Sequence, residues 1–393
     1  MSTDPLAALT REVRPLVAHG SDAATVAALL AWSVRPRRTL EGLRRTLAAQ
    51  GVLAGDLAER LRAEVLSGVD GDDTTAARRL LPPWRRRGCR LSVVGDPGYP
   101  QRLAEDWPAT DGPVLLATVG APPPSVPTVA IVGSRTATSY GVGIAAWLAE
   151  AASAAGVHVV SGGALGIDAA AHRAALEGPG GTSVVLGCGH DVAYPRPHAR
   201  PGGLFEQVRS AGGGLVSEQL PWVPPKAGIV RARNRIVAGL ADAVVVVEGA
   251  ARSGSLLTAT AALERGRAVL AVPGDIRRPG SAAPNRLLSE GAGTCTDPSE
   301  LLDALPPAGG RNEVAVPAAP EVEGDAVTVL PSAVRRALAT AWPRAVARDE
   351  LIARGGRSPG EVLAALTRAQ LAGEVAERAD GFVLRRQPAA VPR

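Results

Sequence analysis

The sequence predicts an α/β fold, a doubly wound (Rossmann-like) parallel sheet with a helical N-terminal module and a C-terminal winged helix. Three observations lead there. Between residues 125 and 305, six short apolar runs (129–132, 158–160, 183–186, 214–216, 243–247 and 268–272) alternate with stretches of helical period. Each run stops at a glycine or a polar loop, as a parallel strand does before it turns into a helix. Outside this region the apolar spacing is helical, apart from a strand-containing lead-in before residue 125 and two short β-like runs near the C-terminal end.

Residues 1–75 read as a small helical module of the SAM or helix-hairpin-helix type. Apolar residues recur at Leu6, Leu9, Val13 and Leu16, then Val26, Leu29 and Leu30, then Leu43, Leu47, Leu53, Leu57 and Leu61, with glycines at Gly20, Gly51 and Gly55 where short turns belong. Such a module either grips phosphates through loop amides or makes protein contacts. Residues 76–124 form a basic lead-in to the central domain, with Arg78-Arg79 and the run Trp84-Arg85-Arg86-Arg87-Gly88-Cys89-Arg90. Arginines beside an aromatic suit a nucleic-acid backbone, and a solvated surface run is the alternative. Residues 93–103 and 113–120 look strand-containing, and Pro122-Pro123-Pro124 marks a hinge before the central domain.

Residues 125–305 hold the sheet, whose functional crevice is expected at the carboxyl ends of its strands. A strand that ends in glycine and turns into a helix presents backbone N–H groups and the positive end of the helix dipole, and phosphate is the usual guest. Gly133-Ser134-Arg135 follows the first run and Gly162-Gly163 the second, while Ser253-Gly254-Ser255 opens a helix after the fifth. Gly133-Ser134-Arg135 matches neither GxGxxG nor a Walker loop, so an anion site is expected and no cofactor is named. Lys226, Arg231 and Arg233-Asn234-Arg235 add four cations within ten residues, directed to the same rim. Arginines at a helix start oppose the dipole, so helix formation alone does not favour them there.

Residues 306–325, rich in proline, alanine and glycine, read as a linker. Residues 326–386 carry helical segments at 332–339, 348–353 and 358–372, followed by a short hairpin at 374–376 and 381–384, which is the winged-helix order. The third helix carries Arg368 as its basic residue, beside Glu361, so protein contact is at least as good a reading as DNA contact.

Composition narrows the class. The chain has 393 residues, 46% of them apolar, and a net charge of +5 that leans weakly toward an anionic partner. Lys226 is the one lysine among 43 basic residues, a skew that codon bias explains. Cys89, Cys188 and Cys295 are too far apart for a Cys-x-x-Cys unit, and their odd number suits reduced thiols. With no apolar run near the roughly 18 residues of a membrane span and no leader pattern, a cytoplasmic protein without membrane attachment is expected.

The blocks VAIVGSRTATSYG, VVSGGALGIDAAAHRAAL, VVLGCGHDVAYP, LVSE, RNRIVAGLADAVVVVEG, SGSLLTATAALERGRAVLAVPG and NRLLSEGA, in that order, closely resemble the DprA (Smf) family of DNA-processing proteins. The resemblance implies a dimeric single-stranded DNA-binding protein that protects incoming DNA and helps load RecA recombinase in natural transformation and related recombination. It implies that Gly133, Ser134 and Arg135 hold one phosphate, that Gly162 and Gly163 line the same pocket, and that Lys226, Arg233, Asn234 and Arg235 flank the strand. Family members place Phe-Pro shortly before Arg-Asn-Arg, where the aromatic can stack on a base. Here the stretch is Ile229-Val230-Arg231-Ala232, so that contact is weakened and Arg231 offers a phosphate contact instead. Pro195-Arg196-Pro197-His198 ends in His where the family often has Asn.

The competing class is a nucleotide-processing enzyme of the phosphoribohydrolase type, which uses a glutamate and a Pro-Gly-Gly-x-Gly-Thr loop. Residues 248–255, Glu-Gly-Ala-Ala-Arg-Ser-Gly-Ser, stand in that loop's place. Asp168, Asp191, Glu218 and Glu248 are candidate rim carboxylates, none paired with a histidine or a metal-ligand cluster at recognisable spacing. Asp168 reads as a helix N-terminal residue, Glu218 as an arginine partner and His172 as a structural histidine. No catalytic residue, metal or cofactor is expected.

Overall fold

A computed structural model describes residues 4–34, 69–105, 112–192 and 194–306, with scattered positions in 42–65 and 334–384. Two compact units result, residues 1–320 and 321–393. The expected turns at Gly51 and Gly55, most of the linker, and Arg368 lie outside the described residues.

The chain enters through helix α1 (Pro5–Val13), where Asp4 accepts from the Leu6 N–H at 2.9 Å and Pro5 stands where no donor is needed. Helix α2 (Ala23–Ser33) is capped by Asp22. Helix α3 (Gly71–Arg78) opens on a reciprocal capping box between Asp70 and Asp73, both bonds 2.9 Å. Helix α4 (Leu81–Arg87) ends at Gly88 in the left-handed conformation. It leads into strand β1 (Cys89–Val93), then helix α5 (Gln101–Glu105) and strand β2 (Leu115–Gly120).

The six expected apolar runs are strands β3 (Thr128–Val132), β4 (His158–Ser161), β5 (Thr182–Val185), β6 (Gly214–Ser217), β7 (Ala243–Val246) and β8 (Ala268–Ala271). They pair in parallel in the order β6-β5-β4-β3-β7-β8, and a short β9 (Gly293–Thr294) continues the sheet beyond β8. On the other side β2 joins β6 and β1 joins β2, both antiparallel, so the basic lead-in contributes two strands to a nine-stranded sheet.

Both faces of the sheet are covered, which is why its strands read as unbroken apolar runs. Val129, Ile131 and Val245 pack under helices α6 (Ser139–Ala154) and α7 (Ile167–Ala175). Ala130, Val132, Val244 and Val246 face the opposite way, toward α9 (Leu204–Ser210), α11 (Asn234–Leu240) and α12 (Gly254–Leu263). The short α8 (Arg196–Ala199) and α10 (Ala227–Ala232) lie in loops, and α13 (Ala282–Ser289) and α14 (Pro298–Asp303) close the unit. The second apolar cluster runs on through β1 and β2 to Leu9, Val26, Leu29 and Leu30, so the N-terminal helices share this core. Fully buried side chains such as Ile131 and Leu29 each contribute about 1.5–3 kcal/mol.

In the second unit, helix α15 (Arg348–Arg354) precedes strands β10 (Val375–Arg378) and β11 (Gly381–Leu384), which form the expected antiparallel hairpin. Val346 bridges to Phe382, and Arg348 stacks over the Phe382 ring at 5.8 Å. Val334, Leu338, Leu351, Val362, Leu366 and Val375 share one small core. The expected helices at 332–339 and 358–372 lie only partly within the described residues.

Candidate nucleic-acid interface

Strand order reverses at β3, with β4 on one side and β7 on the other, so the loops leaving β3 and β7 diverge. The gap above them is the usual ligand crevice of such a sheet. Here it is a cleft of about 890 Å³. Gly133, Ser134, Arg135, Gly162, Lys226, Arg231, Arg233, Asn234, Ser253, Gly254 and Ser255 all line it. Gly163 lines a small adjoining cavity instead, its carbonyl oxygen 3.0 Å from His198 Nδ1.

The floor is set by two buried groups of opposite charge beside the β4 loop, Arg233 and Asp168. Arg233 is 5% exposed and donates to the Val185 carbonyl. Its guanidinium lies where a side chain on Gly162 would stand, so a Cβ there would have to displace it. Asp168, in the first turn of α7, accepts from the N–H groups of Gly162 (3.1 Å) and Ala164 (3.2 Å). Burial raises the Asp168 carboxyl pKa and the nearby Arg233 charge opposes that rise; burial lowers the Arg233 pKa and Asp168 opposes that fall.

The β3 loop is rigid. The Ser134 hydroxyl accepts from the Thr136 N–H at 3.1 Å, and the Ser134 carbonyl accepts from the Ile167 N–H at 3.1 Å. Arg135 is exposed at the end of this fixed turn. Across the cleft, Ser253 caps α12 and accepts from the Ser255 hydroxyl at 2.9 Å. The Ser255 hydroxyl is therefore spent on Ser253, whose own O–H, with the N-terminus of α12, lines the cleft. Asn234 donates to the Gly254 carbonyl at 2.9 Å and ties α11 to that helix start.

Besides Gly163, two expectations are corrected. Arg235 does not line the cleft: it forms a two-pronged pair with Glu218 at 2.9 and 2.6 Å and is 9% exposed. The short α11 buries every residue from Arg235 to Leu240, which turns this arginine toward the β6 loop. The N-terminus of the helix after β3 is also not open to phosphate. The Glu248 carboxylate takes that place, accepting from the Thr138 hydroxyl at 2.5 Å and the Thr138 N–H at 2.9 Å, and packs against Gly141.

Sequence reasoning missed Arg252 and Tyr194, both of which line the cleft. The signal for Arg252 was its place just before the helix start at Ser253. Tyr194 had only the Tyr-Pro pair to mark it. Trp84, expected beside the basic run, is 1% exposed and belongs to the core, so its ring is not available to a ligand.

Other titratable groups near the sheet are structural. His172 Nδ1 lies 2.7 Å from the Thr182 hydroxyl, and burial lowers its pKa to about 3. His190 Nε2 meets the Ala117 carbonyl at 2.9 Å, with its pKa lowered by burial to about 4. Burial raises the Cys188 thiol to about 11 and those of Cys89 and Cys295 to about 12, which removes the thiolate that nucleophilic chemistry would need. Among the described residues no helix is long and apolar enough to cross a membrane.

Residues 90–306 match the family model described as DNA recombination-mediator protein A. Protein Smf of Escherichia coli K12 is 39% identical over 271 residues, 67% of this chain and 70% of its own length. The DNA processing protein DprA of Bacillus subtilis is 33% identical over 233 residues, 58% of this chain and 75% of its own. The crystal structure of DNA processing protein A from Streptococcus pneumoniae superposes with a TM-score of 0.54 at 29% identity, covering 71% of this chain and 96% of that one. With the crevice, its cations and its glycine loops matched by a family model over more than half the chain, this protein belongs to the DNA recombination-mediator protein A (DprA/Smf) family.

Proposed function

We propose that the protein binds single-stranded DNA along the cleft, protects it there, and helps load RecA recombinase onto it, in natural transformation or in homologous recombination more widely. The observation that carries this reading is the charge of the lining. Five cations, Arg135, Lys226, Arg231, Arg233 and Arg252, line the cleft with one carboxylate, Asp168, which accepts from two loop N–H groups. A net positive, open crevice suits a polyanion that passes through.

The reading assigns phosphates to the Gly133–Arg135 turn, to Lys226 and Arg231, and to the start of α12, with no bond made or broken. The four rim carboxylates support the absence of catalysis, because each is engaged elsewhere: Asp168 by loop amides, Asp191 by Arg86 and Arg87, Glu218 by Arg235, and Glu248 by Thr138. We assign the protein to the cytoplasm as a homodimer, and the second unit to a winged helix that contacts either duplex DNA or a protein. Sedimentation of the full chain tests the dimer. The deciding measurement for the function is affinity for single-stranded against double-stranded DNA over a salt series, with and without RecA. Preference for single strands, with affinity falling steeply as salt rises, is expected; a flat salt response or a preference for duplex overturns the reading.

A further inference from the structure

Five arginines of the basic lead-in fall into two groups. Arg78 and Arg85 bind Glu12, and Arg90 donates to the Pro15 carbonyl, so these three fasten the N-terminal helices to the sheet. Arg86 and Arg87 do neither. Their side chains are 63% and 51% exposed, and both meet Asp191 loosely, at 3.5 and 3.4 Å, leaving the trio with a net positive charge.

Asp191 links this patch to the cleft. Its N–H donates to the Pro221 carbonyl at 2.9 Å, and the Gly189 N–H donates to the Val223 carbonyl at 2.9 Å, which locks the loops after β5 and β6 together. Between those two bonds stands Trp222, 50% exposed, a large ring held outward by a loop whose neighbours are fixed. Three residues further on, Pro225 and Lys226 line the cleft. Through the chain and these loop bonds, Trp222 stands between the cleft-lining Pro225 and Lys226 and the Asp191 that meets the arginine pair.

From this continuity we infer that the strand-binding track extends out of the cleft, with a base of single-stranded DNA stacked on Trp222 and the following phosphates on Arg86 and Arg87. This rests on the reading of the cleft given above. It assigns an open stacking platform to a chain in which an aliphatic residue, Val230, lines the cleft just before Arg-Asn-Arg. A tryptophan stacks on any base, so the extension adds affinity without sequence preference. The arginine pair adds the salt-dependent part.

The test uses the full chain and oligothymidylates of about 6 and about 20 nucleotides, short enough to occupy only the cleft and long enough to leave it. Trp222→Ala and Arg86→Ala/Arg87→Ala are each expected to weaken binding of the longer strand about tenfold, with the short strand unchanged. The arginine variant is also expected to lower the salt slope for the longer strand by about 1.4, about 0.7 per phosphate. Trp222→Phe, which keeps a ring, is expected to retain most of the affinity and guards against a folding artefact. Unchanged affinity of both variants for the longer strand overturns the extension, as does an equal loss for both strand lengths. Failure of the cleft reading looks different: the short strand then binds without any dependence on Arg135, whatever the patch variants do.

Discussion

The guanidinium of Arg233 fills the space beside Gly162 that a side chain there would need, and the N–H of the same glycine is held by Asp168. One missing side chain thus lets a buried cation sit beneath the β4 loop and charge the cleft from below. Gly162→Ala is expected to displace Arg233, destabilise the fold by about 1–3 kcal/mol and weaken DNA binding together. Thermal melting and a binding titration on one preparation check this. A variant with wild-type melting and affinity removes Arg233 from the account.

The exposed and the buried arginines should separate in a salt titration. Arg135→Ala and Arg231→Ala are each expected to lower the slope of log affinity against log salt by about 0.7, the share of one phosphate on a single strand. Arg235→Ala should leave that slope alone and instead cost about 1–3 kcal/mol in denaturant unfolding, because the half-buried Glu218 then loses its two-pronged partner.

Glu248 caps α6 through Thr138, so its removal should act on stability. Glu248→Ala is expected to cost about 1–2 kcal/mol, with DNA affinity unchanged within about twofold. Incubation with nucleoside monophosphates, followed by chromatography for free base, addresses the enzymatic alternative. Base released by the native protein and lost in Glu248→Ala would make Glu248 catalytic and overturn the binding-only reading.

Stability should fall on mild acidification. The Thr182 hydroxyl donates to the Val159 carbonyl, so His172 Nδ1 carries the proton and Nε2 is left buried without a partner. Its pKa is about 3 when folded against an ordinary 6.5, and that of His190 is about 4. Between those values and 6.5 the unfolded chain binds more protons, so stability rises with pH through that window and is lost as pH falls from about 6.5 toward 4. Urea midpoints at pH 7 and pH 5 measure the effect, and His172→Asn is expected to shrink the difference. Equal midpoints for the native protein would mean that His172 is not buried as described.

Much of the fold was legible because it depends on local pattern. The run at 129–132 is the strand Thr128–Val132, and that at 268–272 is Ala268–Ala271, since strands covered on both faces must be apolar at every position. The rim loops were legible for a related reason, as glycines mark where such strands end. The lead-in was harder to read: β2 joins the sheet antiparallel to β6, about a hundred residues away, with β1 antiparallel to β2 beyond it, and no short-range pattern records that pairing.

The candidate site was legible in place but not in division of labour. Arg233, Asn234 and Arg235 look alike as part of one polar run, yet one floors the cleft, one braces a helix start and one pairs with Glu218. The residues that face outward, Arg135, Lys226, Arg231 and Arg252, come from three separate loops. The sequence by itself determined the parallel α/β sheet, the glycine-ended strands and the clustering of cations near one rim, because these are properties of spacing and residue type. Only the tertiary structure decided which charges meet a carboxylate and which remain open to a polyanion, because burial and charge pairing are contacts between distant segments that the chain topology brings together.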